Sequence, residues 1–562
     1  MDGRLRRWSG DRKTGFRVGF SGWRMSSIST QVDVLIVGYG PVGAAVACLL
    51  GKLGVRTLVI DRSADILQMP RAIALDNEAL RILQMAGLRE GAFQVRAIPR
   101  VRYLSPYAGE FARINSCGSL DGHPKLVTFY QPELERVLRE CVGRHATVET
   151  ATGVEMLGFS DLGDSVRAEL KLADGTTTFV AARYLVAADG AGSMVRKAIG
   201  QDFQGRTYAE EWLIVDAERP DQALDDIEFI CDPRRPTPHM PAPGQRERWE
   251  FMLHPGESRE RMEEEGTVRT LLAPYGNVQD MKITRKAVYR FHARTCERFS
   301  RGRVHLVGDA AHITPPFVGQ GLVAGLRDAA NLSWKLAWVL RGSAGDGVLE
   351  SYDTERRPHA KAMIDLARFM GHLIMPRSRI KACLVHGTVR ALRVLPYFRA
   401  YFDDLRIKPK NSFREGLFAP SSRRSGSLPG SWLPQGMVRS GDGTLAPSDD
   451  VLGDRLVLLG CGADPAAHLC ESSMRAWQAA GGAIVRVEPR GSEARGASFW
   501  EDLSDVLVPG AATVGRVLVV RPDKTVMHEG ATSECERLVR ESLALLGIPG
   551  SPTSVRQPAR AP

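Results

Sequence analysis

The chain has 562 residues, of which 43% are hydrophobic and 25% charged, and its formal net charge is +10. This length allows two to four domains with large cores, and no apolar run is long enough to predict a membrane span. The nine cysteines form no CxxC pair, and no His/Cys cluster has metal-ligand spacing. The sequence therefore indicates a soluble, cytoplasmic protein without disulfides or a metal centre.

The first 24 residues hold half of the excess positive charge, because they contain seven Arg or Lys residues and only two Asp residues. This segment lacks both a hydrophobic period and the apolar core of a secretory signal. We expect residues 1–30 to be a disordered or mis-started extension, with Met25 as an alternative start; an Arg-rich transit peptide is the other interpretation. The charge on the rest of the chain predicts no nucleic-acid partner and suits anionic cofactors and substrates.

The first predicted unit is a strand, a glycine turn, a helix and a second strand within residues 31–62. An apolar run at 34–37 precedes the turn, a helical pattern covers 42–53, and a second apolar run at 57–60 ends at an acid. This order is typical of a dinucleotide-binding βαβ unit, whose glycines admit a pyrophosphate at the helix N-terminus and whose acid binds a ribose. The residues predicted to bind the dinucleotide here are Gly38, Gly40, Pro41, Val42, Gly43, Asp61 and Arg62.

The pattern changes along the rest of the chain. Short apolar segments separated by Pro/Gly clusters predict a mostly antiparallel sheet at 205–295. Helices are predicted at 76–85, 132–142 and 321–340, with helical pattern continuing to about residue 402. Beyond a Ser/Arg/Gly/Pro-rich segment, a separate α/β unit has predicted strands at 456–459, 484–487 and 517–520 and helices at 472–480 and 534–546.

Two distant segments favour a flavin over other dinucleotides. Asp309 follows a buried strand at 304–307, and Pro315-Pro316 leads through Gly319-Gln320-Gly321 into a helix. A carboxylate at the carboxyl end of a strand can accept a hydrogen bond from a ribityl hydroxyl. The N–H groups at the helix start can stabilise negative charge on a reduced isoalloxazine. The second segment begins Asp189-Gly190 after a predicted strand, and by itself it fits an ordinary turn equally well.

Together these motifs resemble the aromatic-hydroxylase class of single-component flavoprotein monooxygenases, which have the para-hydroxybenzoate hydroxylase fold. The resemblance covers about residues 31–400. It implies bound FAD, transient NADH or NADPH, and O₂-dependent hydroxylation of a phenolic ring. It also implies FAD contacts at Arg71, Gln131, Asp189, Asp309, Pro316, Gly319, Gln320 and Gly321. Two positions depart from the family pattern, with Val323 in place of a common Asn and Gly192 in place of Arg.

The implied fold is α/β: a Rossmann-type FAD-binding domain, an inserted and mostly antiparallel substrate sheet, a helical segment and a C-terminal thioredoxin-like domain. This domain lacks a CxxC pair, since Cys461 stands alone in Gly460-Cys461-Gly462, which excludes dithiol chemistry and predicts a structural role for the domain. The predicted boundaries are residues 1–30 for the extension, 31–204 and 296–409 for the two parts of the FAD-binding domain with its helices, 205–295 for the substrate sheet, 410–432 for a linker, 433–550 for the thioredoxin-like domain and 551–562 for a tail.

Within the family, residues 231–236, 249–252 and 352–359 resemble the 3-(3-hydroxyphenyl)propionate/3-hydroxycinnamate hydroxylase branch. This resemblance implies a phenol with a short acidic side chain, hydroxylated ortho to its hydroxyl. We expect Tyr208 and Pro315 at the reaction centre, with Tyr208 promoting deprotonation of the phenol; a core position is an equal alternative for Tyr208. Substrate contacts are expected from Arg234, Arg235, His239, Trp249 and Phe251, although the two arginines also fit a solvated turn.

Other functions stay open on the sequence alone. The chain fits a hydroxylase of another phenol or of a polycyclic polyketide, and it also fits an FAD-dependent dehydrogenase or oxidase. Flavin binding without turnover is the least favoured alternative. A homodimer is one of the assemblies compatible with the sequence, and the Glu355-Arg356-Arg357 cluster is interpreted as a structural ion-pair network.

Overall fold

The computed structural model describes residues 28–219, 224–403, 408–420, 428–492 and 499–548. The predictions for the N-terminal extension up to residue 27 and for the tail at 551–562 lie outside these ranges. None of the helices in these ranges is long and apolar enough to cross a membrane.

The dinucleotide-binding domain is built on an eight-stranded sheet. Five strands run parallel in the order 148–152, 57–61, 31–37, 177–187 and 304–306. The predicted βαβ unit and the helix at 321–340 are therefore both present. The strands of this sheet are Gln31–Val37, Thr57–Asp61, Val148–Thr152, Glu155–Asp161, Val166–Lys171, Thr177–Ala187, Ser300–Arg301 and Val304–Leu306.

The helices Pro41–Lys52, Gln131–Val142 and Gly321–Leu340 pack beside this sheet. Two glycines allow the first and third of these helices to approach closely. A Cβ on Gly325 would lie 2.6 Å from a Val42 methyl carbon, and a Cβ on Gly308 would lie 3.2 Å from the same carbon. The carboxyl end of the strand Val304–Leu306 is thereby held against the start of the helix Pro41–Lys52.

A second eight-stranded sheet covers one side of this domain. The predicted antiparallel sheet is present, but it also recruits two strands from residues 100–115, and Ile227–Ile230 pairs parallel with Arg100–Ser105. Its outer face is covered by the helices Arg259–Met262 and Glu265–Leu272. In spatial order its strands are His312–Ile313, Lys282–Cys296, Phe203–Glu218, Arg246–Met252, Thr237–Ala242, Ile227–Ile230, Arg100–Ser105 and Gly109–Asn115.

The remaining long helices follow the dinucleotide-binding domain. They are Glu350–Ile374 and Arg379–Leu392, and the shorter helices are Asn77–Met85, Met194–Ala198 and Pro396–Asp403. In the segment predicted as a linker, Leu417, Phe418 and Ala419 are buried.

The C-terminal unit has its own seven-stranded sheet. Leu456–Cys461 is parallel to Gly482–Glu488 and antiparallel to Arg516–Val520. Cys461 is buried, and burial raises the pKa of its thiol to about 12, so the thiolate is not formed at neutral pH. The other strands are Met437–Ser440, Leu445–Pro447, Trp500–Asp502 and Val526–Ala531, and the helices are Ser448–Leu452, Glu471–Ala479 and Cys535–Leu545.

Candidate active site

A cavity of about 940 Å³ lies between the two large sheets. This volume is at the upper end of small-molecule sites. Every residue predicted to bind the cofactor, apart from Gly43, lines this cavity: Gly38, Gly40, Pro41, Val42, Asp61, Arg62, Arg71, Gln131, Asp189, Asp309, Pro316, Gly319, Gln320 and Gly321.

The three glycines of the first turn have different roles. Gly38 has φ +103°, and a Cβ there would lie 2.3 Å from the Ala188 carbonyl oxygen. A Cβ on Gly43 would lie 2.0 Å from the carbonyl oxygen of Gly38. A Cβ on Gly40 would meet no atom within 4 Å. The first and third glycines are therefore required by the packing of the chain itself, whereas Gly40 leaves open space on the cavity side.

Asp61 is fixed at the edge of the cavity by backbone donors. The Tyr39 N–H donates to one carboxylate oxygen and the Ser63 N–H to the other, each at 2.7 Å. Arg139 donates to the Tyr39 carbonyl oxygen at 3.0 Å and lies over the Tyr39 ring. These contacts hold the Asp61 carboxylate where an acid of a βαβ unit binds a ribose.

Two further carboxylates keep acceptor oxygens available. Asp309 lies in a turn after the strand Val304–Leu306, and its side chain accepts no hydrogen bond from the described residues. Burial raises the pKa of Asp309, while His312 and Arg71 act in the opposite direction. One Asp189 oxygen accepts the Met194 N–H at 2.9 Å, and the other is buried without a partner among the described residues.

The start of the helix Gly321–Leu340 brings the backbone of Gly319 and Gly321 to the cavity. Gly319 is left-handed, with φ +62°, which turns the chain into the helix. The Gln320 amide donates to Asp76 at 3.1 Å and accepts from Arg327 at 3.0 Å. Because its side chain is used inside the protein, Gln320 contributes to the cavity through its backbone.

Gln131 organises the segment that carries Arg71. Its amide oxygen accepts the N–H groups of both Arg71 and Ala72 at 2.8 Å. From the second sheet, Arg248 donates to the carbonyl oxygens of Pro70 and Arg71 at 3.0 and 3.1 Å. This segment is therefore held from both sides, which fixes the edge of the cavity near Asp309.

Unpartnered carboxylate oxygens, the open face of Gly40 and the helix N-terminus at Gly321 together fit FAD. They supply acceptors for sugar hydroxyls and donors for a pyrophosphate and for a ring that becomes negatively charged.

The predicted substrate contacts of three side chains are wrong. His239, Trp249 and Phe251 project from the outer face of the second sheet, away from the cavity. His239 stacks on Trp249 with ring centroids 4.7 Å apart, and it hydrogen-bonds to Glu247 at 2.8 Å. Trp249 and Phe251 pack against Val268 and Leu272 of the covering helix. Since side chains alternate along a strand, their neighbours Pro238, Met240 and Glu250 line the cavity instead.

The arginine pair also lies elsewhere. Arg234 is exposed and pairs with Asp232 at 2.7 Å, and Arg235 pairs with Glu257 at 2.6 Å. Neither lines the cavity, so the prediction that they bind a substrate carboxylate is corrected to a turn stabilised by local ion pairs.

The two predicted reaction-centre residues lie just behind the cavity wall. Tyr208 is half-buried and packs edge-on against Phe317 at a centroid distance of 5.7 Å. Pro315 is buried between Thr314 and Pro316, which both line the cavity. In this arrangement they support the wall and do not form its surface.

Most of the apolar wall was not predicted from the sequence. It comes from one face of the second sheet, from the loop before the helix Gly321–Leu340, and from the helix Glu350–Ile374. A correct assignment of inward and outward positions on each strand would have identified it. Its main side chains are Val101, Tyr103, Ile114, Ile227, Phe229, Pro238, Met240, Phe317, Leu366 and Met370, with Glu250 among them.

Comparison with known proteins agrees with this geometry. The FAD binding domain family model matches residues 31–367, and the HcaD C-terminal domain model matches residues 430–545. A 3-(3-hydroxy-phenyl)propionate/3-hydroxycinnamic acid hydroxylase 2 from Burkholderia vietnamiensis is 36% identical, over 88% of this chain and 93% of the relative. The 3-(3-hydroxy-phenyl)propionate/3-hydroxycinnamic acid hydroxylase from Escherichia coli K12 is 35% identical, over 82% of this chain and 84% of the relative.

Solved structures support the same fold. OxyS anhydrotetracycline hydroxylase from Streptomyces rimosus superposes with a TM-score of 0.73 at 26% identity, over 92% of this chain and 99% of that chain. Aklavinone-11 hydroxylase, solved with FAD and aklavinone, gives a TM-score of 0.71 at 23% identity, over 91% of this chain and 99% of that chain. The chain belongs to the family of FAD-dependent aromatic-ring monooxygenases that includes the 3-(3-hydroxyphenyl)propionate/3-hydroxycinnamic acid hydroxylases.

Proposed function

We propose that this protein uses NADH or NADPH and O₂ to hydroxylate a phenolic acid ortho to its hydroxyl, with 3-(3-hydroxyphenyl)propionate or 3-hydroxycinnamate as substrate. The observation that carries the proposal is the shape of the cavity. One continuous space joins the dinucleotide-binding residues Gly40, Asp61 and Asp309 to the apolar face of the second sheet. The curated relatives bear the names of hydroxylases for these two acids.

FAD, when bound, supplies the redox chemistry and the activation of oxygen. The protein binds and orients it. The N-terminus of the helix Pro41–Lys52 would hold the pyrophosphate, Asp61 would accept a hydrogen bond from a ribose hydroxyl, and Asp309 would accept one from a ribityl hydroxyl. The N-terminus of the helix Gly321–Leu340 would stabilise the negative charge that the flavin ring gains on reduction. Each of these roles uses a group that lines the cavity.

The second half of the cavity suits an aromatic ring. Phe229, Pro238, Met240, Phe317 and Met370 line it with apolar surface. Such a wall packs against both faces of a ring and excludes water from the position where oxygen is transferred.

A lysine replaces the arginine pair as the candidate for carboxylate binding. Lys125 lines the cavity beside Asn115 and Leu126. It is half-buried, and its ammonium group has no hydrogen-bond or ion-pair partner among the described residues. A carboxylate on a short side chain can pair with it while the phenolic ring occupies the apolar half.

Lys125→Ala tests this assignment. It should raise KM for 3-(3-hydroxyphenyl)propionate about tenfold and leave KM for a neutral 3-alkylphenol within about twofold, because only the acid loses an ion pair. Arg234→Ala is the matched control, since that cation lies outside the cavity, and it should change neither value. Equal effects of Lys125→Ala on acidic and neutral phenols would remove the assignment.

The reaction itself is tested with a panel of acidic, neutral and polycyclic phenols. NADH and NADPH consumption, O₂ consumption and product mass are measured together with the purified FAD-loaded protein. Substrate-dependent consumption with a product one oxygen atom heavier supports the proposal. A product that has lost two hydrogen atoms would indicate a dehydrogenase or oxidase. A preference for polycyclic phenols would show that the proposed substrate class is wrong.

We further propose a cytoplasmic location, because all nine cysteines are free. A measurement of mass in solution decides whether the protein forms the homodimer that the sequence left open.

A further inference from the structure

The apolar wall of the cavity contains one carboxylate that projects from the second sheet. Glu250 lies on the strand Arg246–Met252 and pairs with Ile214 of the neighbouring strand. It lines the cavity together with Pro238 and Met240, and only 6% of its surface is exposed. Its side chain makes no hydrogen bond to any residue that the structure describes. It is therefore a buried acceptor that faces the place of the aromatic ring.

The neighbouring cations are committed to another acid. Arg248 donates to Asp216 at 2.6 and 3.0 Å, and Arg285 donates to Asp216 at 3.2 Å. Both arginines also donate to the Pro70 carbonyl oxygen. Their positive charges lower the pKa of Glu250 from a distance, but neither arginine forms an ion pair with it. A buried and unpartnered carboxylate is costly, so its position in a ligand cavity points to a ligand that supplies the missing donor.

Glu250 also lies at the boundary between the two halves of the cavity. Arg248 is two residues away on the same face of the strand, which corresponds to about 6.5 Å. The Arg248 guanidinium contacts the backbone of Arg71 at 3.1 Å, in the segment that borders the FAD-binding half. Glu250 is therefore next on its strand face to the arginine that contacts the border of the FAD-binding half.

The other acids and the cavity tyrosine are less suited to accept a proton from a substrate. Asp76 and Glu78 are paired with Arg327 and Lys408. Burial raises the pKa of Tyr103 well above its ordinary value, so its phenol stays neutral. Asp61, Asp189 and Asp309 belong to the dinucleotide half.

We propose that Glu250 is a catalytic residue, the general base that accepts the proton of the substrate phenol. In this step the phenol O–H bond breaks and its electron pair stays on the phenol oxygen. A new O–H bond forms on the Glu250 carboxylate, and the proton leaves to water when the product is released. The added charge on the phenol oxygen enriches the ortho carbon, which is the position that receives oxygen. This assignment rests on the proposed hydroxylase function.

The electrostatics of the site support this role. Burial raises the pKa of Glu250 to about 7; Arg248 and Arg285 lower it, and Asp216 raises it further. A base with a pKa near the working pH is the most effective in general catalysis. The pH–rate profile of hydroxylation should therefore have an ascending limb near pH 7, where Glu250 loses its proton.

The test compares Glu250→Gln, Glu250→Asp and wild type, with Glu228→Gln as a matched control. Glu228 is a carboxylate on the same sheet, but it pairs across the strands with His239 on the outer face and with Arg102 at 2.8 Å. Each protein is first checked for FAD content and thermal unfolding. Hydroxylated product per unit time is then measured from pH 5.5 to 9 on the proposed phenolic acid, and on a nitro-substituted analogue at the pH values above its own phenol pKa, where it is already ionised.

Glu250→Gln should lose about 100-fold or more in product formation on the un-ionised phenol and lose the limb near pH 7. On the ionised analogue its rate relative to wild type should recover to within a few fold. Glu250→Asp should keep the limb with a reduced rate, and Glu228→Gln should match wild type.

Retention of the pH limb in Glu250→Gln, or an equal loss on both substrates, would overturn the assignment. Wild-type product formation on the phenol panel tests the proposed function separately. A wild-type enzyme that hydroxylates the panel while Glu250→Gln is unaffected would remove only the role of Glu250.

Discussion

The guanidinium of Arg521 lies 2.7 Å from a carboxylate oxygen of Glu355, and this fully buried ion pair joins the C-terminal unit to the helix Glu350–Ile374. Lys335 donates to the other Glu355 oxygen at 2.9 Å. These cations hold the pKa of Glu355 well below its usual range. The predicted structural role of the acid-arginine cluster at 355–357 therefore includes docking of the C-terminal unit.

Breaking this pair should destabilise the whole protein. Arg521→Met leaves the Glu355 carboxylate buried with fewer partners, and the expected loss in free energy of unfolding is about 3–5 kcal/mol. The double variant Glu355→Gln/Arg521→Met removes both charges and should recover part of this loss. Chemical unfolding monitored by circular dichroism checks both values, and single and double variants of equal stability would contradict the coupling.

The first glycine turn offers a matched pair of substitutions. Gly38→Ala places a methyl group 2.3 Å from the Ala188 carbonyl oxygen at φ +103°, whereas Gly40→Ala places it in open space beside the cavity. Gly38→Ala should therefore lower the yield of folded protein, and Gly40→Ala should fold but bind FAD more weakly. Thermal unfolding and flavin fluorescence titration separate the two effects. A stable Gly38→Ala protein with normal FAD affinity would contradict the packing role of Gly38.

Asp61 should strengthen FAD binding by about the free energy of one charge-assisted hydrogen bond. Asp61→Ala is expected to weaken FAD binding by about 1.5–3 kcal/mol. The Tyr39 and Ser63 N–H groups lose an acceptor in the same variant, so thermal unfolding of the FAD-free protein serves as the control. An unchanged dissociation constant for FAD would show that this carboxylate does not contact the ribose.

The raised pKa of Glu250 predicts a specific pH dependence of stability. Its pKa is about 7 in the folded protein and 4.5 in its ordinary state. Below pH 4.5 the Glu250 carboxyl group is protonated in both the folded and the unfolded state, so folding does not bury a charge there. As the pH rises to 7, the folded state loses about 3 kcal/mol relative to the unfolded state.

The stability difference between Glu250→Gln and wild type should therefore shift in favour of the variant by about 2–3 kcal/mol between pH 5 and pH 8. Denaturant unfolding at both pH values, in the same FAD state, measures this difference. A difference that does not change with pH would contradict the raised pKa.

The FAD half of the site was largely predictable because its signals are local in sequence. A glycine turn requires a particular backbone, and an acid after a strand is placed by that strand, so Asp61, Asp309 and the helix Gly321–Leu340 lie where the sequence predicts them. The resemblance to flavoprotein monooxygenases is confirmed by the comparisons.

The substrate half was not predictable because it depends on which face of a strand is inward. Trp249 and Phe251 have the size expected of ring contacts, but the helices at 259–272 cover them on the outer face. A shift of one position on the same strand selects Glu250, a residue with no obvious aromatic affinity. Part of the wall also comes from Val101 and Tyr103, which pair with Ile227 and Phe229, 126 residues further along the chain.

The most direct test of the proposed function is the ratio of hydroxylated product to NADH consumed, measured with 3-(3-hydroxyphenyl)propionate and ¹⁸O₂ on the FAD-loaded protein. The structure predicts a ratio near one, with one labelled oxygen in the product ortho to the original hydroxyl. Consumption of NADH that yields only hydrogen peroxide with every phenol tested, or a product without label, would contradict a hydroxylase.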